Sequence, residues 1–290
     1  MKNLAKRCMI WAIKKFHRSP QFSKLFNRLL LSQLKCLLPT GEVRTYPAFE
    51  ESARLTVFVL HWDLFRGDLE ALAREKGVRV IFLDLVWQQI VHDGFYPYSV
   101  NITDYYNSPL SSDIGKKTEQ LTTFLSPFFT LLKKKFDVKV VMAPNMRFIP
   151  DLDWGRAAQK AKIPSVVLFR EGLVNFERGY KGTVIRQRKF GKFLGDHIIF
   201  VNEEIKKVFI ESGFTSENQT TVAGAPRMDS LVRRAQKVRE WQAEAEIKEL
   251  KPAQIIVFYF WPGKFQKGFI DEDGLWRPPG VPHGLFREVF

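Results

Sequence analysis

From residue 55 onward, short apolar runs alternate with longer amphipathic stretches, and that alternation leaves the chain few folds to choose from. Residues 55–60, 78–85, 138–143, 165–169, 197–201 and 220–223 read as strands. Between them, residues 67–76, 114–135, 154–161 and 203–212 read as helices, the last closed by Gly213. Strands that alternate with helices predict an α/β fold built on a doubly wound, Rossmann-like parallel sheet. The strands are apolar throughout instead of at every second residue, as expected where both faces are covered. A polar, aromatic stretch at 91–112 reads as a loop. With 290 residues, 45% of them hydrophobic and 14% aromatic, there is ample material for a large core.

Residues 229–250 read as a long polar helix ended by Pro252, and 254–261 as one more apolar strand. The expected organisation is a lead over 1–45, a Rossmann-like domain over 46–250 with 229–250 as its linker helix, and the opening of a second Rossmann-like domain over 251–290. That second domain is expected to be incomplete, since residues 283–290 resemble the first turns of a helix with no later strand to pack on.

The charge is unevenly placed. Lys+Arg total 45 against 31 Asp+Glu, a formal charge of +14. Nine of those excess charges lie in the first forty residues, at Lys2, Lys6, Arg7, Lys14, Lys15, Arg18, Lys24, Arg28 and Lys35, and the first acid is Glu42. Phe22, Leu25, Phe26, Leu29, Leu30, Leu34 and Leu37 recur there at helical spacing, after a Ser19-Pro20 start signal that follows an earlier helix around Trp11. A basic amphipathic lead suits an anionic membrane surface; a pair of helices packed on the domain with lysines in solvent is the other reading. No apolar run approaches the ~20 residues needed to span a bilayer. Two cysteines, Cys8 and Cys36, are too few for a disulfide scaffold, so the expectation is a cytoplasmic protein, peripheral on the inner face of the membrane.

Several chemistries are disfavoured. There is no G-x-G-x-x-G fingerprint, no Walker A sequence and no G-x-S-x-G elbow, and the five histidines show no metal-ligand spacing. No metal and no cofactor is expected, and no nucleic-acid module is visible. What remains are loops at the carboxyl ends of strands, where open α/β sheets place ligands. In residues 61–68 (HWDLFRGD), Arg66 and Gly67 could meet an anion at a helix start, with Asp68 otherwise a plain first-turn acid. Arg170-Glu171-Gly172 follows the strand at 165–169 and offers either a general base at Glu171 or a structural ion pair. In residues 224–229 (GAPRMD), Arg227 suits a phosphate or carboxylate, and Asp229 is an acid–base candidate or simply a helix cap. The basic run 178–192 reads as a solvated loop.

The runs PSVVLFREGL, GDHIIFVNEEIKKVFIESGF and TTVAGAPRMDSL, all within residues 164–231, resemble bacterial capsule and lipopolysaccharide glycosyltransferases of the GT-B type. Kdo-transferase-like proteins and relatives of CDP-glycerol glycerophosphotransferase share this pattern, and the likeness extends over IIVFYFWPGK and the terminal HGLFREVF. The resemblance implies two Rossmann-like domains with a cleft between them, the first holding a glycan or lipid-linked acceptor and the second a nucleotide-sugar donor. It implies Glu171 as general base, Arg227 and Asp229 lining the cleft, and Pro262, Gly263 and Lys264 near donor phosphates, with Arg170 and His283 as further substrate-binding candidates. Glycerol phosphate transfer or epimerisation of a UDP-sugar is compatible with the same architecture, and so is a non-catalytic partner of the glycan-assembly machinery.

Overall fold

The computed structural model describes residues 2–45, 53–65, 67–96, 99–170 and 177–229, together with 232, 236, 269–270 and 276–277. Helices α1 (Lys2–Phe16) and α2 (Pro20–Ser32) are separated at Ser19, whose hydroxyl accepts from the Phe22 N–H at 3.3 Å. Pro20 follows at the position where a missing N–H costs nothing. A hairpin, β1 (Lys35–Leu37) and β2 (Val43–Thr45), comes next. The alternating series then runs β3 (Leu55–Val59), α3 (Asp68–Ala73), β4 (Val78–Phe82), α4 (Leu85–Phe95), α5 (Ile102–Asn107) and α6 (Asp113–Phe136). It continues through β5 (Val138–Ala143), α7 (Ile149–Lys160), β6 (Ser165–Phe169), α8 (Glu177–Arg188), β7 (His197–Phe200), α9 (Glu203–Glu211) and β8 (Thr220–Val222).

The eight strands form one sheet in the order β2-β1-β4-β3-β5-β6-β7-β8. From β4 to β8 every neighbouring pair is parallel, whereas β1 joins β4 antiparallel. The α/β class and the parallel sheet are therefore as expected, with an antiparallel edge supplied by the lead. The order reverses between β3 and β5, the kind of place where a crevice opens at the carboxyl ends of strands. One face of the sheet packs an aromatic core. Phe58 lies parallel to Trp154 at 6.3 Å, and Phe128 and Phe129 meet both rings edge-on.

Three local expectations need correction. The strand expected over 78–85 stops at Phe82, because Asp84 takes an extended N-cap conformation and starts α4. The expected loop at 91–112 contains the end of α4 and all of α5; Gln88, Val91 and Phe95 are buried at helical spacing, a stripe disguised by its polar first member. The basic run at 178–192 is largely helical as α8, with Val184 and Gln187 turned inward and Lys181, Arg186 and Arg188 exposed.

The lead is built into the body. Ile13, Phe26, Leu30 and Leu34 are buried, so most of the apolar stripe read from the sequence faces the core. α1 approaches α4 so closely that a Cβ on Gly94 would stand 2.5 Å from Ile13 Cγ2. Leu4, Trp11, Phe16 and Leu25 remain exposed among the basic side chains. No helix among the described residues is long and apolar enough to cross a membrane.

By contacts the chain divides into Met1–Gln236 and Lys237–Phe290. In the second unit the described structure is an antiparallel pair, β9 (Phe269–Ile270) with β10 (Trp276–Arg277). The strand expected at 254–261 lies outside the described residues, and the helix expected over 229–250 is described only at 229, 232 and 236.

Candidate functional site

Three of the strand-exit loops singled out in the sequence come together. Asp68 opens α3 after the β3 loop, and its side chain is fully buried. Arg170, leaving β6, places Nε 2.8 Å from Asp68 Oδ2. Arg227, in a 3-10 turn over Pro226–Met228 after β8, donates from its backbone N–H to Asp68 Oδ1 at 2.9 Å and from Nη1 to Oδ2 at 2.9 Å. The Arg227 bonds are charge-assisted, the strong class, and with the Arg170 ion pair they tie loops from three strands to one carboxylate. Gly67 makes this possible. It takes φ +96°, and a Cβ there would lie 3.5 Å from Arg227 Cβ. The anion that Arg170 and Arg227 meet is thus, in the first instance, the chain's own Asp68.

Asp229 follows the 3-10 turn with helical backbone angles and is exposed, two residues from Arg227. Arg66, Glu171, Pro262, Gly263, Lys264 and His283 lie outside the described residues. The arrangement of the sequence candidates is therefore established for Gly67, Arg170, Arg227 and Asp229.

A second group lies at the point where strand order reverses; it joins His61, the first residue of the 61–68 stretch, to residues that no motif marked. His61 leaves β3 in the left-handed region at φ +51°, which a non-glycine residue adopts only when its surroundings hold it there. Its backbone N–H donates to Gln88 Oε1 at 2.9 Å, and Gln88 Nε2 donates to Asp151 Oδ1 at 2.8 Å. Asp151, in the first turn of α7, returns its other oxygen to within 3.6 Å of His61 Nδ1. The loop is closed: strand exit, α4 glutamine, α7 carboxylate, imidazole. The ring also rests against Phe148, with centroids 4.8 Å apart. Nε2 points to the side of half-exposed Asp63, 3.9 Å away.

The electrostatics follow from these positions. Burial works against a charged His61 ring, but attraction from Asp151 and then Asp63 outweighs it and raises the pKa above the ordinary histidine value. Burial also raises Asp151, with His61 and Gln88 pulling the other way. Two residues further along α7, Asp153 faces His92 at 3.8 Å and accepts hydroxyls from Tyr105 at 2.7 Å and Tyr96 at 3.2 Å. Burial raises Asp153 too, ahead of those partners. Tyr96 also meets Thr118 at 2.8 Å, so this second carboxylate is enclosed in an internal network.

A groove of about 410 Å³ lies elsewhere, at His17, Ser19, Glu119 and Phe124, and contains none of these candidates. Among the described residues no cluster of three His, Cys, Asp or Glu side chains is placed to hold a metal ion.

No protein-family model, no curated protein and no solved structure matches the chain. Function must be argued from the two residue groups.

Proposed function

We propose that residues 1–236 carry the acceptor side of a nucleotide-sugar-dependent glycosyltransferase of the GT-B type, acting on a capsule or lipopolysaccharide glycan. The observation that carries this reading is the meeting of Arg170 and Arg227 on buried Asp68, where three strand exits converge on the carboxyl side of a doubly wound sheet. Cationic side chains fixed in this way need no reorganisation when negative charge develops, which suits reactions whose leaving group is a nucleotide phosphate. The motifs that supply both arginines are also those that resemble surface-glycan transferases.

In the proposed reaction an acceptor hydroxyl attacks the anomeric carbon of the donor. The bond from that carbon to the phosphate oxygen breaks, and its electron pair leaves with the nucleotide. The hydroxyl proton passes to a base, for which the resemblance nominates Glu171. The arginine pair would hold charged parts of acceptor or donor in line for the attack. The lead fits the same reading, because a basic face carrying Trp11 and Leu25 in solvent would keep the enzyme beside a lipid-linked acceptor on an anionic membrane.

The test is a transfer assay with a panel of nucleotide sugars, CDP-glycerol included, and a lipid-linked glycan acceptor. The expected result is transfer from one donor, with Arg227→Ala lowering kcat/KM by about a hundredfold or more. Transfer of glycerol phosphate alone would move the assignment to the glycerophosphotransferase class. The absence of both transfer and nucleotide binding with every donor would end the proposal.

A further inference from the structure

Asp151 is a carboxylate with 1% of its side chain exposed, and its Oδ2 makes no hydrogen bond. Such an atom is costly unless the charge it faces is held in place. Everything around it does hold that partner. Gln88 fixes the other carboxylate oxygen and the His61 backbone together, Phe148 supports the ring, and His61 keeps a left-handed φ. Nδ1 turned to the carboxylate leaves the opposite nitrogen, Nε2, as the lone-pair acceptor. That nitrogen lies on the side of half-exposed Asp63, at a strand exit beside the reversal of strand order.

Asp153 supplies an internal comparison on the same helix. Its Oδ1 is taken by two tyrosine hydroxyls, while its Oδ2, like that of Asp151, makes no hydrogen bond and faces a histidine, His92, at 3.8 Å. The two pairs differ in place: His92 lies within α4, whereas His61 stands at a strand exit beside the reversal of strand order.

We propose that His61 is the catalytic proton acceptor of this site, taking the acceptor hydroxyl's proton on Nε2, and that Asp151 is the residue that positions it. The proposal rests on the transferase reading and reassigns the base within it from Glu171 to His61. As the hydroxyl oxygen bonds to the anomeric carbon, its proton moves to Nε2 and the ring becomes cationic. Asp151 stabilises that cation across Nδ1. The proton leaves to solvent after the nucleotide departs. The charged groups facing the ring are Asp151 from α7 and Asp63 from the 3-10 turn after β3; Gln88 from α4 is neutral.

The experiment compares pH–rate profiles of the full chain with those of His61→Ala, His61→Gln, Asp151→Asn and Glu171→Gln, using the donor that supports transfer. His61→Ala and His61→Gln are expected to lower kcat about a hundredfold or more with donor KM little changed. Asp151→Asn is expected to lower kcat and to move the rising limb of kcat/KM to lower pH, a shift that a merely structural role would not produce. In the same protein the His61 ring signal, followed by NMR, should titrate at lower pH once Asp151 is Asn. An active wild type whose His61→Gln variant keeps its rate within threefold would overturn this assignment and leave the transferase reading standing. A wild type inactive with every donor would instead overturn the transferase reading, and this assignment with it.

Discussion

Asp68 is a single carboxylate with no route to solvent, and two arginines from distant strands depend on it. Removing it takes away the buried carboxylate that both cations share at the carboxyl ends of the strands. Asp68→Ala is expected to lower the unfolding free energy by about 3 kcal/mol in urea titrations, and Asp68→Asn by less, because the amide still accepts hydrogen bonds. The His61–Asp151 pair has a pH signature of known sign. Both groups have raised pKa values in the fold, so the native state holds their protons more tightly than the unfolded chain does. Their stabilising contribution is therefore present at low pH and declines as pH rises. Asp151 loses its share from the ordinary carboxylate range upward, and His61 from about pH 6.5 upward, through its raised value. Wild type should exceed His61→Gln in stability at about pH 6, and the gap should narrow by about pH 8.5; a widening gap would contradict the pairing. Gly67, Arg170 and Arg227 were legible in the sequence because the strand-exit rule needs only the succession of elements. The His61–Asp151 pair was not legible, because it depends on β5 lying next to β3, which the succession does not state. The role of Asp68 was hidden for a related reason: a first-turn acid is ordinary, and its partners lie three and five strands further along the chain.

At the scale of elements, the lead shows what helical spacing can and cannot reveal. The periodicity of Phe22, Phe26 and Leu30 located α2, but the helix stops at Ser32, so Leu34 lies beyond it and Leu37 falls in β1. Spacing did not say what the stripe would meet. It meets the domain's own core. The join between α1 and α4 depends on one close approach, Ile13 against Gly94. Ile13→Ala is expected to cost about 3 kcal/mol through the cavity it leaves. Gly94→Ala should cost about 2 kcal/mol through overpacking, as its new methyl collides with Ile13. Because the first change clears the space that the second needs, the double variant should lose less than the sum of the two. A thermal or urea double-mutant cycle measures this, and strict additivity would mean that the helices do not meet there. α5 and the end of α4 escaped the sequence reading for the opposite reason. Their buried positions include Gln88, Gly94 and Tyr105, which interrupt an apolar stripe when only hydrophobic letters are counted.

For the molecule as a whole, most of the net charge, nine of +14, belongs to one region. With nine cations and no acid in its first forty residues, the protein is expected to sediment with anionic vesicles at low salt and to be released as salt rises. Replacing Lys14, Lys15 and Arg18 by Gln should weaken that binding by roughly 3 kcal/mol, about a hundredfold, at about 1 kcal/mol per charge. Equal binding to neutral vesicles would show that the cations are not responsible. It would be natural to test the same idea by deleting the lead. The antiparallel pairing of β1 with β4 makes that experiment misleading. Val80, Ile81 and Phe82 of β4 are buried, and β1 covers their outer ladder of N–H and C=O groups. Without residues 1–45, that ladder becomes an open apolar edge, a template on which one molecule can pair with the next. Truncated protein that pellets with membranes, or without them, would then be reporting self-association through β4.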